Sequence, residues 1–286
     1  MATAATGKLT VTLAELVRRL ADEFGDLVRI TTTSAGDAGG TTAIDSQAVN
    51  TGKEDLGGRQ IYFTSGANNT EARTITSTTD TTNTITFIPA ATAQVASGVT
   101  AEVYNKRGHG FLRDEYVRAL NRAIDDAAGI ALIAVVDTDA VPGNFDKDSP
   151  EITVDTQISE VFKVEHDDAD GFWYEVRKAP RWGGDGWVAL PASGKIRLTG
   201  KPAWDADGNT VQVWGYGRQA ALSASADTVA MDPGWLIARA AFHLAKGNLD
   251  RRPELGGLLM LYRDEAVRRE GALRVIRHPD AAPVRG

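Results

Sequence analysis

The chain contains four histidines, which could act as metal ligands or general bases if the fold brought them together. They are His109, His166, His243 and His278. His166 precedes Asp167, Asp168 and Asp170, and this cluster could mimic a metal site. Asp, Gly and Ala are also common in turns, so a polar hairpin connection is the favoured interpretation. The chain has no cysteine, which excludes disulfides, thiolate metal sites and cysteine nucleophiles.

The segment 205–209 resembles the start of a calcium-binding loop, because Asp, Asp and Asn alternate there. An EF-hand loop needs Gly at its sixth position and Glu at its twelfth, whereas this chain has Thr210 and Tyr216 there. A turn between two strands is therefore favoured. No phosphate-binding loop, dinucleotide fingerprint or nucleophile elbow occurs in the sequence. We predict no catalytic residue, no cofactor and no metal site.

Carboxylates are concentrated between residues 137 and 170, which include eleven acidic residues and two lysines. A glycosidase needs a specific pair of carboxylates beside its substrate, and nothing in the sequence singles out such a pair. A charge run of this kind is usually a solvent-exposed face. The pI of about 5.2 also argues against nucleic-acid binding by the protein surface as a whole.

The C-terminal stretch is locally basic, although the chain has a formal charge of −7. One interpretation is a solvated helix face with a frayed end. The other is a surface that docks on an acidic partner, because arginine pairs well with carboxylates. The arginines expected at such a surface are Arg263, Arg268, Arg269, Arg274 and Arg277.

Four patterns of apolar residues at helical spacing predict four helices. They begin near residues 13, 112, 233 and 253. Thr12 and Glu15 form a capping box before the first helix, and the Asp232-Pro233 pair opens the third. The segment 130–136 fits either a further helical turn or a buried strand.

Two parts of the chain have strand patterns. Apolar residues alternate within 30–104, and turn residues separate the runs about every ten residues. A second β-rich part follows within 137–218. Core packing is expected for Trp173, Trp187 and Trp214, because they lie in strand patterns.

These patterns together predict an α+β fold. N-terminal, middle and C-terminal helices would form a helical bundle core, with two inserted antiparallel β modules, each a small barrel or sandwich. The predicted segments are the first bundle helix at 1–29, a Thr-rich β module at 30–104, the central helix at 105–136, an acidic and then Trp-rich β module at 137–218, the C-terminal helices at 219–270 and a flexible docking tail at 271–286.

Three passages carry a family resemblance. They are the β segments 58–67, 71–76 and 85–90, the helix 111–124, and Val211–Gly217 followed by Leu222 and 232–241. Together they resemble bacteriophage head–tail adaptor (connector) proteins, the neck proteins that dock under the portal of long-tailed phages. The likeness covers most of the chain as a pattern of architecture.

The resemblance implies a homo-oligomeric ring with no catalysis and no cofactor. The expected partners are other copies of the chain, the portal protein and a stopper or tail-completion protein, while DNA passes through without specific binding. The expected location is the virion neck. The sequence has no signal peptide and no run of roughly 18 apolar residues for a membrane helix, so synthesis in the host bacterial cytoplasm and no membrane partner are expected.

Under this resemblance, an acidic lining of the ring would repel phosphates and let the genome slide. The alternative position for these residues is an outer face. The candidate lining residues are Asp137, Asp139, Asp146, Asp148, Asp167, Asp168 and Asp170.

A different function remains an alternative. Exposed tryptophans in β modules can stack on sugar rings, so the chain could be a glycan- or receptor-binding tail or fibre protein of a virion. A carbohydrate-active enzyme is a third alternative, but it lacks an identifiable acid and base.

Overall fold

The computed structural model describes most of the chain. The described residues are 3–4, 11–46, 56–105, 110–128, 130, 132–141, 145–168, 171–180, 184–190 and 193–273. Within these ranges the strands pair antiparallel into sheets of six, five, three and two strands, accompanied by five α-helices.

The strands and helices follow one another along the chain. The strands are β1 (Thr3–Ala4), β2 (Val11–Thr12), β3 (Val28–Thr31), β4 (Thr42–Ile44), β5 (Gln60–Phe63), β6 (Ala72–Thr79), β7 (Thr84–Ile88), β8 (Thr100–Tyr104), β9 (Ile133–Val141), β10 (Glu151–Thr153), β11 (Ile158–Asp167), β12 (Trp173–Val176), β13 (Gly186–Leu190), β14 (Lys195–Thr199), β15 (Val211–Gly217) and β16 (Thr228–Val229). The helices are α1 (Leu13–Glu23), α2 (Arg113–Ala127), α3 (Lys201–Asp205), α4 (Pro233–Gly247) and α5 (Gly256–Leu273).

The six-stranded sheet has its own apolar core. Its strand order is β3-β8-β5-β6-β7-β4. Alternation along the strands places Ile61, Phe63 and Phe87 inside, and the two phenylalanine rings lie 5.6 Å apart. Thr33 N donates to Ile44 O over 2.8 Å, so the chain just after β3 reaches β4 and the sheet closes on itself.

The other three sheets lie among the helices. The five-stranded sheet has the order β1-β9-β15-β11-β12, and the three-stranded sheet has the order β10-β14-β13. The two-stranded ribbon pairs β2 with β16, joining Thr12 to Thr228. This ribbon ties the start of α1 to the segment that precedes α4.

A single large core joins these sheets to the helices. In the described residues α4 packs against α2 and α5, and α1 packs against α2 and α4. Leu20 of α1, Leu120 of α2 and Leu236 of α4 belong to the same buried cluster as Val164 and Trp187 of the sheets. Helices and sheets therefore bury one continuous apolar surface.

The predicted fold class is wrong, because a helical bundle with two inserted β modules does not describe this arrangement. Strands predominate, and the sheets formed by β9 to β15 share the core of the helices. β9 begins at Ile133, within the predicted central-helix segment 105–136, and of the two forms considered for 130–136 the buried strand is the one that residues 133–136 adopt. An amphipathic helix pattern shows which face is buried, but it cannot show whether a helix or a sheet covers that face.

A buried carboxylate connects three parts of the helical layer. Asp26 follows α1 and is fully buried. Its Oδ2 accepts hydrogen bonds from Phe111 N at 3.1 Å and Tyr116 Oη at 2.9 Å, and it lies 3.6 Å from Arg252 Nη1. A Cβ atom on Gly110 would lie 2.5 Å from the Asp26 carboxyl carbon, so a residue without a side chain is required there. Burial and the adjacent Asp26 raise the pKa of Tyr116, which keeps its hydroxyl protonated as a donor.

Asp126 connects α2 to α4. Its Oδ2 accepts a hydrogen bond from Arg239 Nε and lies 2.8 Å from His243 Nε2. Burial favours the neutral acid, but the hydrogen bonds from Arg239 and His243 outweigh it and lower the pKa of Asp126 below its usual value.

Replacing Asp126 with Asn is expected to destabilise the protein near neutral pH and to matter less in acid. A carboxylate with a lowered folded pKa adds stability above its unfolded pKa, and that stability is lost as the pH falls through the folded pKa. The difference in melting temperature between wild type and Asp126→Asn should therefore shrink below about pH 4. A difference that stays constant from pH 7 into acid would contradict this role.

Candidate functional site

Helix α5 carries apolar side chains on both its inner and outer faces. Tyr262 and Ala266 face the core, where the Tyr262 ring lies 5.7 Å from that of Phe24. Leu261 is 60% exposed and Val267 is 61% exposed, on parts of the helix that do not face the core. Together with Met260 they are the exposed apolar side chains of α5, here called its outward face, and nothing in the described residues covers them.

The predicted partner-binding arginines on α5 are engaged with acids of the same helix. Arg263 Nη2 lies 3.2 Å from Asp264 Oδ1. Arg268 Nη2 lies 2.7 Å from Glu265 Oε1, and Arg269 Nε donates to the same oxygen. The described part of this surface is therefore close to neutral.

These ion pairs are exposed and replaceable. The hydrogen bonds from Arg268 and Arg269 lower the pKa of Glu265 to about 2. Exposed ion pairs contribute little to stability because water screens them, so a carboxylate of a partner could take the place of Glu265. The other two predicted arginines, Arg274 and Arg277, lie outside the described residues.

A hollow of about 430 Å³ lies between α4 and α5, beside the outward face. Leu261 and Tyr262 line one side of it, and Glu23 lies at another. A Cβ atom on Gly234 would lie 2.1 Å from Arg269 Nη1, so this glycine allows Arg269 to lie over the first turn of α4. The hollow extends the surface that a partner could contact.

Four of the seven predicted lumen aspartates, Asp146, Asp148, Asp167 and Asp168, lie at one end of the five-stranded sheet, and the carboxylates of three of them accept hydrogen bonds from backbone amides. Asp146 Oδ1 accepts from Asp148 N at 2.9 Å, and Asp167 Oδ1 accepts from Thr210 N at 2.6 Å. Asp168 Oδ1 accepts from a backbone N–H of its own turn at 2.9 Å. These contacts give each of the three carboxylates a local role in a turn.

The other predicted lumen aspartates are not brought to that surface. Asp137 lies in β9 opposite Val213 and is buried. The side chain of Asp139 and the whole of Asp170 lie outside the described residues. The acidic run therefore does not form one continuous exposed face in the described part of the chain.

The tryptophans divide between core and surface. Trp187 is 1% exposed, as expected, and Trp214 is partly buried, with its Nε1 donating to Glu165 Oε2 at 2.7 Å. The expectation that Trp173 packs in the core is wrong, because it is 43% exposed. The three consecutive aromatic residues 172–174 indicate only that they cannot all face the core, since successive strand residues point to opposite faces.

A polar groove of about 600 Å³ lies between β12 and α3, and sequence reasoning missed it. His166 and Tyr174 line it from neighbouring strands, and Lys201 and Asp205 line it from α3. Its residues are far apart in the sequence, so no spacing rule could have brought them together. His166 was considered in the sequence as a metal ligand, but here its Nδ1 lies 2.9 Å from its neighbour's carbonyl oxygen.

The described residues contain neither a metal-binding cluster nor a membrane-spanning helix. None of them gather into a group of three or more His, Asp or Glu that could hold a metal ion. No helix among them is both long enough and apolar enough to cross a bilayer. Compared with known proteins, the chain matches no family model, and no curated protein is significantly similar to it.

Proposed function

We propose that this chain is a non-enzymatic structural protein of a phage virion, which forms a ring at the head–tail junction. In this role it docks on the portal protein, links it to a stopper or tail-completion protein, and lets DNA pass without specific binding. The sequence resemblance to head–tail adaptors supports the proposal. The structural observation that carries it is the outward apolar face of α5.

A second copy of the chain is the occupant that we propose for the outward face of α5. Covering Leu261 and Val267 removes exposed apolar area from water, which favours association. An 18-residue helix is about 27 Å long, so it can supply a large part of the roughly 800 Å² per partner that a stable interface buries. Since Glu265 neutralises Arg268 and Arg269, copies of an acidic chain would not repel each other there.

A closed ring requires that α5 meet a different patch of the neighbouring copy, because identical patches meeting face to face give a two-fold dimer instead. The acidic end of the five-stranded sheet, with Asp146 and Asp148 exposed, is the part of the proposed lumen that the described residues support. Repulsion between these carboxylates and DNA phosphates would favour sliding over binding.

Replacing Leu261 and Val267 together with Asp is expected to prevent ring formation. Each change would place a carboxylate at the proposed apolar contact, where an unpaired charge opposes burial. A loss of at least about 2 kcal/mol at such a contact weakens association roughly thirtyfold or more. Size-exclusion chromatography with light scattering would measure the assembly mass, both alone and with purified portal protein.

An Ile88→Asp variant is the matched control for this experiment. Ile88 is 57% exposed on β7, so this change also adds an acid in place of an exposed apolar residue, but away from α5. The control should assemble as wild type does. Wild-type assembly by the α5 variant, or equal loss in the control, would contradict the proposed contact.

Location in a virion tests the function itself. Antibody labelling or a cryo-EM map of the particle should place the chain at the portal–tail junction. Density at the tail tip would favour a receptor-binding role instead, and absence from the particle would reject the virion proposal.

A further inference from the structure

The polar groove between β12 and α3 lies outside the surfaces used in the proposed function. Its volume of about 600 Å³ falls within the roughly 300–1,000 Å³ typical of ligand pockets. Charged side chains line most of it, which distinguishes it from the apolar pockets that take lipids or aromatic ligands. Its aromatic surface is the ring of Tyr174, which is 51% exposed.

The orientation of Tyr174 is set by its neighbour across the sheet. His166 and Tyr174 are paired residues of β11 and β12, and their rings stack with centroids 5.7 Å apart and planes inclined by 26°. His166 Nδ1 lies 2.9 Å from Asp167 O, a contact that requires a hydrogen on Nδ1. The Tyr174 ring, which stacks on this fixed histidine, is therefore preorganised for stacking on a ligand.

The opposite wall depends on a glycine. A Cβ atom on Gly200 would lie 1.8 Å from Asp185 Oδ1, and Gly200 has a φ of +68°, which glycine adopts without strain. Its bare backbone lets α3 begin against Asp185, whose Oδ1 accepts from Lys201 N at 3.3 Å. Arg177 Nε donates to Asp185 O at 3.2 Å. These two hydrogen bonds position Asp185, Lys201 and Arg177 relative to one another at the groove wall.

We propose that this groove binds carbohydrate, as a neutral or amino-bearing sugar unit of a glycan. The apolar face of a sugar ring stacks on an aromatic ring such as Tyr174, and its hydroxyls suit carboxylates and guanidinium groups as hydrogen-bond partners. Four carboxylates and two cations line the groove, an excess of negative charge that disfavours acidic sugars. They are Asp168, Glu175, Asp185 and Asp205, with Arg177 and Lys201.

Binding to immobilised oligosaccharides tests this proposal, using the full chain and neutral, amino-bearing and acidic sugars. Wild type should bind neutral or amino-bearing members. Tyr174→Ala should bind about tenfold more weakly through loss of stacking, whereas Tyr174→Phe should stay within about threefold. Trp204→Ala is the matched control, because Trp204 is 68% exposed nearby but does not line the groove, and its binding should be unchanged.

Several results would overturn the proposal. One is the absence of binding to any sugar in the set, confirmed by saturation-transfer NMR at millimolar sugar. The others are a preference for acidic sugars and equal binding by Tyr174→Ala and wild type. If Tyr174→Ala fails to fold by circular dichroism, Asp205→Ala at the groove rim replaces it, and unchanged binding by that variant would count equally against the proposal. Ring assembly is measured separately, so failure of either proposal leaves the other intact.

Discussion

Truncating Trp187 to alanine is expected to lower the free energy of unfolding by about 3–5 kcal/mol. Trp187 lies in β13 and is one of the largest fully buried side chains of the described residues. It belongs to the core that the three-stranded sheet shares with the helices. Its removal leaves a cavity at that junction, and the packed surroundings can refill such a cavity only in part.

Trp204→Ala is the matched control for Trp187→Ala. Trp204 is the same residue type, and its main described contact is Lys147 Nζ at 5.1 Å from its ring centre. We expect a loss below about 1 kcal/mol for this exposed site. Guanidinium unfolding followed by circular dichroism measures both variants. Comparable losses in the two would contradict the placement of Trp187 in a shared core.

Replacing Asp26 with alanine is expected to destabilise the protein by about 3–5 kcal/mol. The change removes the acceptor for Phe111 N and Tyr116 Oη and the nearby negative charge that balances Arg252. Buried donors that lose their acceptor still carry their full desolvation free energy, which no hydrogen bond then offsets. The loss should therefore exceed what three ordinary contacts would contribute at the surface.

Asp22→Ala is the matched control for Asp26→Ala. Asp22 lies four residues earlier and pairs with Arg29 at 3.1 Å, where both side chains are exposed. Removing an exposed pair should change stability by at most about 1 kcal/mol. Urea unfolding of both variants decides the matter, and an Asp26→Ala variant no less stable than Asp22→Ala would refute the proposed role of the buried carboxylate.

Element positions follow from local patterns, so most of them are predictable from the sequence. The helix expected at Asp232 begins there, with Asp232 accepting a hydrogen bond from Trp235 N. The capping box before α1 is half confirmed, because Thr12 caps the helix while the Glu15 carboxylate accepts from Arg19 instead. Most of the ambiguous segment 130–136 belongs to strand β9.

The way in which the elements combine is not predictable from those patterns. β9 pairs with β1 near the N-terminus and with β15, partners that are distant in sequence. Asp26 looks like an ordinary polar residue after a helix, because nothing local shows that Phe111 and Tyr116 will enclose it. Burial of a polar group depends on contacts between distant segments.

The candidate surfaces also differ in how far they can be predicted from the sequence. Ion pairing within α5 is readable from the sequence, since Glu265 lies three and four residues before Arg268 and Arg269. The exposure of Leu261 and Val267 is not readable from the sequence, because apolar residues occur all around this helix and no single stripe marks its buried face. The groove beside Tyr174 is not readable either, since it exists only where β11, β12 and α3 meet.

The closure of the six-stranded sheet has a consequence for colloidal behaviour. Sheets with unpaired edge strands invite strands from other molecules and can seed aggregation. Here Thr33 and Ile44 join the two ends of the six-stranded ladder, so the described strands of this sheet leave little backbone open to such pairing. Many copies held side by side at high local concentration should then remain separate at this sheet, and contacts between copies there would have to use side chains.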